Sequence, residues 1–133
     1  MRPEDAAARR TARGRASQAR GVRAEDAAIA ALEAEGWALR ARRQRTAAGE
    51  IDLVAERDGL LAFVEVKARR CLAEAAMALG PRQQARLLAA AEILLADHPD
   101  WGAAGVRFDL IVVDATGRVR RIADAFRWEE TGG

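Results

Sequence analysis

The chain has 133 residues and half are hydrophobic, which suits one domain with its own core and excludes two ordinary domains. The formal net charge is +2. No apolar run approaches a bilayer span, which argues against a membrane protein, and the single cysteine excludes an internal disulfide framework and fits a reducing, cytoplasmic setting.

Residues 1–16 are rich in Ala and Arg without durable periodicity, and they predict a flexible basic arm rather than a signal peptide. A helix is expected from Ser17 to Glu35. Ala24, Ala27, Ala28, Ala31 and Leu32 recur at helical spacing, and Gly36 supplies the stop. Glu25 lies in line with Ala28, Ile29 and Leu32 on the apolar stripe, so it is an edge residue, the partner of an arginine, or a ligand.

Trp37–Arg45 reads as a strand that turns at Thr46–Gly49 into a hairpin, Gly49–Lys67, with its own tight turn at Asp58-Gly59. Period-two alternation sets Glu50 with Asp52 and Glu65 with Lys67 on one face, and Ile51, Leu53, Val64 and Val66 on the other. Ala68–Gly80 is mixed, and Cys71 within it reads as a small apolar residue. Pro81 opens a helix to Asp97 with the stripe Leu87, Leu88, Ala91, Leu94 and Leu95, which Gln84 extends backward. His98–Gly102 is a loop with an exposed histidine. Val106–Asp114 is a central strand, Arg118–Ile122 a short edge strand, and Asp124–Trp128 a terminal turn that packs Phe126. Residues 129–133 are expected to fray.

The order is α-β-β-β-α-β-β. The long helix supplies a parallel crossover, and the first three strands are too closely connected to be anything but antiparallel. The fold class is therefore α/β, a mixed sheet flanked by helices, with a single domain over residues 17–128. Every basic residue but Lys67 is arginine, which suggests a site where guanidinium would fail. Asp52 and Glu65 on neighbouring strands have the hard oxygen donors that Mg²⁺ or Mn²⁺ prefers, with the Val66 carbonyl as a further donor and Glu25 as a second-metal ligand. Lys67 would orient water or stabilise charge on a phosphate.

Asp52 followed by Glu65-Val66-Lys67 resembles the Asp…(Asp/Glu)-x-Lys signature of the restriction-endonuclease-like nuclease superfamily. More narrowly, Gly21–Glu25, Ala28 through Leu32 to Gly36, Gly49–Leu53, Phe63–Lys67 with Arg69, Pro81–Gln84 and Arg107–Asp109 resemble the YraN-type small bacterial proteins, assigned to that fold. The resemblance implies a site on Glu25, Asp52, Glu65, Lys67 and Gln84 and a Mg²⁺-dependent nuclease acting on DNA or structured nucleic acid in repair or recombination. The chain departs from the usual pattern at Ala24 (Gly), Ala31 (Tyr), Arg43 (Asn) and Gln83 (Lys).

Candidate contacts to phosphates are Arg40, Arg42, Arg43, Arg45, Arg69, Arg82 and Arg86. A duplex cutter would need a homodimer, because one site cuts one strand. Two other readings stand beside this one. The first is a non-catalytic nucleic-acid-binding module. The second is a protein-interaction domain, which requires an exposed apolar patch near the last helix or Phe126–Trp128.

Overall fold

The computed structural model describes residues 19, 21–77 and 79–128. The basic arm expected over residues 1–16 and the tail expected over 129–133 lie outside these residues. Helix α1 covers residues 21–34. Gly36 ends it in the left-handed region (φ 88°), where the Gly36 N–H donates to the Glu33 carbonyl and the Trp37 N–H to the Leu32 carbonyl. These two bonds satisfy carbonyls that the helix end would otherwise leave unpaired.

Five strands follow in one sheet of order β1-β2-β3-β4-β5: β1 (Ala38–Thr46), β2 (Gly49–Arg57), β3 (Leu60–Ala68), β4 (Gly105–Val113) and β5 (Val119–Phe126). A 3-10 helix, Leu72–Met77, and helix α2, Pro81–Asp97, join β3 to β4. The β3–β4 pair is parallel, from Leu60 opposite Gly105 to Ala68 opposite Val113, and all other pairs are antiparallel. The expected mixed sheet and element order are thus present. The β2–β3 turn has positive φ at both Asp58 (53°) and Gly59 (81°), the pairing that a two-residue hairpin turn requires.

Alternation along β3 divides the core. Ala62 and Val64 face α1, where Ala24, Ala28 and Leu32 cover them, while Leu61 and Phe63 face α2 and meet Leu87, Ala90, Ala91 and Leu94. Each buried leucine contributes about 2 kcal/mol by leaving water, so the two apolar helix faces fix the helices to opposite sides of the sheet. Phe63, Phe108 and Phe126 stack in series, with centroid spacings of 5.5 and 4.8 Å.

Four local expectations need correction. Ile51 does not share a face with Leu53; it joins the α2-side cluster with Val54, whereas Leu53 joins the α1 side. Strict alternation also fails in β1, where the register shifts between Leu39 and Ala41 and Arg43 has positive φ (52°). Asp124–Phe126 belongs to β5 rather than to a terminal turn, because Phe126 pairs with Phe108 across the ladder. His98 is half-buried rather than exposed, since its ring stacks on Trp101 at 3.8 Å. Among the described residues no helix is long and apolar enough to cross a membrane.

Candidate active site

The hairpin brings Asp52 of β2 and Glu65 of β3 together on the α2 side. Leu53 pairs with Val64, so Asp52 and Glu65 come next in the antiparallel register. One Asp52 oxygen accepts the Val66 N–H at 2.8 Å. The two carboxyl groups lie close enough to share a hydrogen bond when one carries a proton. Burial, and then the charge of Glu65, push the Asp52 carboxyl up to about 7, against the opposing pull of the Val66 N–H. The fold therefore holds an acid pair in which one proton is gained or lost near neutral pH.

Lys67 lies on the same face, two residues along β3, with Nζ 3.0 Å from Glu65 Oε1. The same oxygen accepts the Gln83 amide at 3.0 Å, from the first turn of α2. Gln83 thus occupies the place expected for Gln84, whose amide instead donates to the Leu79 carbonyl at 3.3 Å. Neighbouring helix residues point about 100° apart, and only the docking angle of α2 decides which of the two meets Glu65. The departure from a lysine at position 83 was the signal that marked this residue.

Glu25 is buried and its charge adds to the upward push on Asp52, but its own carboxylate is held by arginines. Arg42 Nε approaches it at 3.1 Å and Arg43 Nε at 3.0 Å, and Arg42 also reaches Asp26 at 2.9 Å. Consecutive strand residues normally face opposite ways; the left-handed backbone at Arg43 accompanies the arrival of both side chains at one carboxylate. The hydrogen bond to Glu25 leads the causes that raise both guanidinium pKa values. Among the described residues no group of three or more His, Cys, Asp or Glu side chains is arranged to hold a metal. The candidate centre is therefore a two-carboxylate site, with Glu25 clasped beside it.

The arginines named for phosphate contact divide into two sets. Arg40 pairs with Glu56 (3.1 Å), Arg42 and Arg43 with Glu25, and Arg45 with Glu50 (3.5 Å), so the β1 cluster is internally compensated. Arg82 and Arg86 are exposed on α2; the Arg86 stem packs against Gly49, where a Cβ would lie 3.0 Å from it. Arg69 donates to the Ala68 carbonyl at 2.8 Å. Phe126 and Trp128 are half-buried against Phe108 and line an open cavity of about 420 Å³ with Leu60 and Val106, and Leu39 is the exposed large hydrophobic residue among those described.

Comparison with known proteins follows the same segments. The sequence model of the Uncharacterised protein family UPF0102 matches residues 24–113, from the residue before Glu25 to the end of β4. A UPF0102 protein of Granulibacter bethesdensis is 61% identical over 120 residues, covering 90% of this chain and 76% of that protein. One from Azorhizobium caulinodans is 52% identical over 127 residues, covering 96% and 95%, and one from Acidiphilium cryptum is 46% identical over 122 residues, covering 92% and 94%. With the YraN-type segments in place and relatives matched along nearly their whole length, the chain belongs to the UPF0102 family.

Proposed function

We propose that Asp52, Glu65 and Lys67 form the centre of a divalent-cation-dependent nuclease that hydrolyses phosphodiester bonds in nucleic acid. The observation that carries this reading is the acid pair itself. Two carboxyl groups press together in a largely buried position, and the Asp52 proton is held near pH 7. Such repulsion lowers stability, and perturbed carboxyls of this kind concentrate at functional sites.

The donor set fits a hard cation. In an antiparallel ladder the N–H and C=O of one residue address the same neighbour. The Val66 N–H points to Asp52, so its carbonyl is placed on the same side. Mg²⁺ commonly takes one or two carboxylates and completes its shell with water and substrate phosphate, and this suits a site without a third acid. When bound, Mg²⁺ or Mn²⁺ would neutralise phosphate charge and acidify a water. Lys67 supplies a compact positive charge fixed by Glu65, Gln83 orients the Glu65 carboxylate from α2, and Asp52 would hold a cation in its deprotonated form. Two copies of the chain would be needed to cut both strands of a duplex.

The test is cleavage of labelled DNA and RNA oligonucleotides with Mg²⁺, Mn²⁺ or a chelator. Lys67→Ala is expected to lower the rate by about a hundredfold or more while leaving binding intact. Cleavage surviving in a clean Lys67→Ala preparation would sink the proposal. A second reading, a metal-independent nucleic-acid-binding module, draws support from the capture of Glu25 by Arg42 and Arg43. It predicts salt-sensitive binding that chelation leaves unchanged, with no cleavage under any metal.

A further inference from the structure

The β1 arginines are spent on carboxylates, but a different set is not. A cavity of about 750 Å³ opens at the C-terminal end of the parallel β3–β4 pair. Arg23 of α1, Arg69 and Arg70 after β3, and the Asp114–Gly117 turn after β4 bound it, over an apolar floor that includes Ala24, Ala27 and Val113. Arg69 donates only to a backbone carbonyl, and neither Arg23 nor Arg69 has a carboxylate partner among the described residues. Arg70 reaches Glu74 at 3.8 Å, at the outer limit of an ion pair. Asp114 is the acid in the lining, and its Oδ1 is already occupied. It accepts the Thr116 hydroxyl at 2.7 Å and the N–H groups of Thr116 and Arg118 at 2.9 Å each. Two guanidinium groups without a carboxylate partner among the described residues, and a third that Glu74 holds at 3.8 Å, thus line a cavity whose own carboxylate is committed to its turn.

We infer that this cavity binds a phosphate of a nucleic-acid strand that flanks the bond engaged at Asp52 and Glu65. Arginine forks match phosphate oxygens in pairs of parallel hydrogen bonds. The cavity and the acid pair share one chain segment, because Arg69 follows Lys67 by two residues, about 7 Å when extended; the cavity opens toward α1, and the pair faces α2. The class of ligand follows from the cavity's own charge and shape; its position beside a scissile bond rests on the nuclease reading above.

The experiment is fluorescence anisotropy of a labelled single-stranded oligonucleotide in chelator, across 50 to about 200 mM salt, a range in which phosphate contacts dominate the salt dependence. Arg23→Ala/Arg69→Ala is expected to bind about tenfold more weakly, with a salt slope shallower by about 0.7 because one fewer phosphate is neutralised. Arg127→Ala, at an arginine paired with Asp124 on the far side of β5, is expected to bind as the wild type does. If the alanine pair unfolds, Arg23→Gln/Arg69→Gln removes the charge at nearly constant size and gives the same comparison. Unchanged affinity and slope, or an equal loss in Arg127→Ala, would overturn the inference. Displacement of the strand by adenosine monophosphate would overturn it too, by assigning the cavity to free phosphate monoesters. Chelator keeps binding separate from cleavage. Weakened binding in a protein that never cleaves would remove the nuclease reading and retain the cavity, whereas cleavage with unchanged binding would do the reverse.

Discussion

Two buried acid sites on one sheet are treated in opposite ways. Asp109 of β4 is fully buried, and both its oxygens are satisfied: Arg107 pairs with one at 2.9 Å, and the Asp124 N–H donates to the other at 2.9 Å. The second bond ties down β5 where Asp124 takes a positive φ (54°). Arg107 in turn lies over the Trp37 ring, 4.8 Å from its centroid. At the other site, Asp52 and Glu65 face each other, and the Asp52 proton is retained to about pH 7. The same chain can therefore compensate a buried carboxylate completely. At the pair, Lys67 and Gln83 compensate Glu65 alone and Asp52 stays pressed against it, an arrangement that costs stability and suits the proposed metal site.

The sharpest way to break this comparison is to remove each acid in turn. Asp109→Ala leaves the half-buried Arg107 without its partner, and loss of one member of a buried pair costs about 3–5 kcal/mol. Thermal melting is expected to show a Tm lower by about 10 °C or more. Asp52→Asn is expected to act in the opposite direction. The carboxyl is held above its unfolded value of about 3.9, so the folded state binds the extra proton, and wild-type stability is lost as pH rises from about 4 to about 7. At pH 8 the Asn variant is expected to be more stable by about 2 kcal/mol, with the gap closing toward pH 4, as chemical denaturation across that range would record. A destabilised variant at pH 8 would place Asp52 in the same class as Asp109. Gln83→Ala has the smallest expected effect, about 1 kcal/mol for one hydrogen bond. A carboxyl NMR titration separates it from Glu65→Gln, which removes the neighbouring charge and should lower the pH at which Asp52 titrates.

Much of the frame was legible because it depends on local periodicity. The Asp58-Gly59 hairpin, the span Pro81–Asp97 and the stop at Gly36 each rest on residues close together in the chain. The acid pair was legible for the same reason, since register follows from one tight turn. What escaped depends on partners far apart in sequence. An arginine partner for Glu25 was among the readings the sequence allowed, but which arginines, 17 and 18 residues away, depends on a left-handed strand residue that no alternation predicts. The exchange of Gln84 for Gln83 turns on helix rotation, which an apolar stripe defines only within one residue. Arg107 and Asp109 did carry a signal. Two charged residues in alternation at the start of an apolar strand, on the side facing α1, imply a buried pair, a signal that the apolar run after them overshadows.

The most direct measurement on the acid pair is calorimetric titration of Mn²⁺ into the wild-type chain and into Asp52→Asn/Glu65→Gln, at pH 6 and pH 8, with and without a phosphorothioate oligonucleotide. A metal site at the pair predicts one Mn²⁺ bound per wild-type chain and tighter binding at pH 8, because Asp52 must release its proton. It predicts no binding by the double variant. Equal binding by both proteins, or none by the wild type even with the oligonucleotide present, would contradict it.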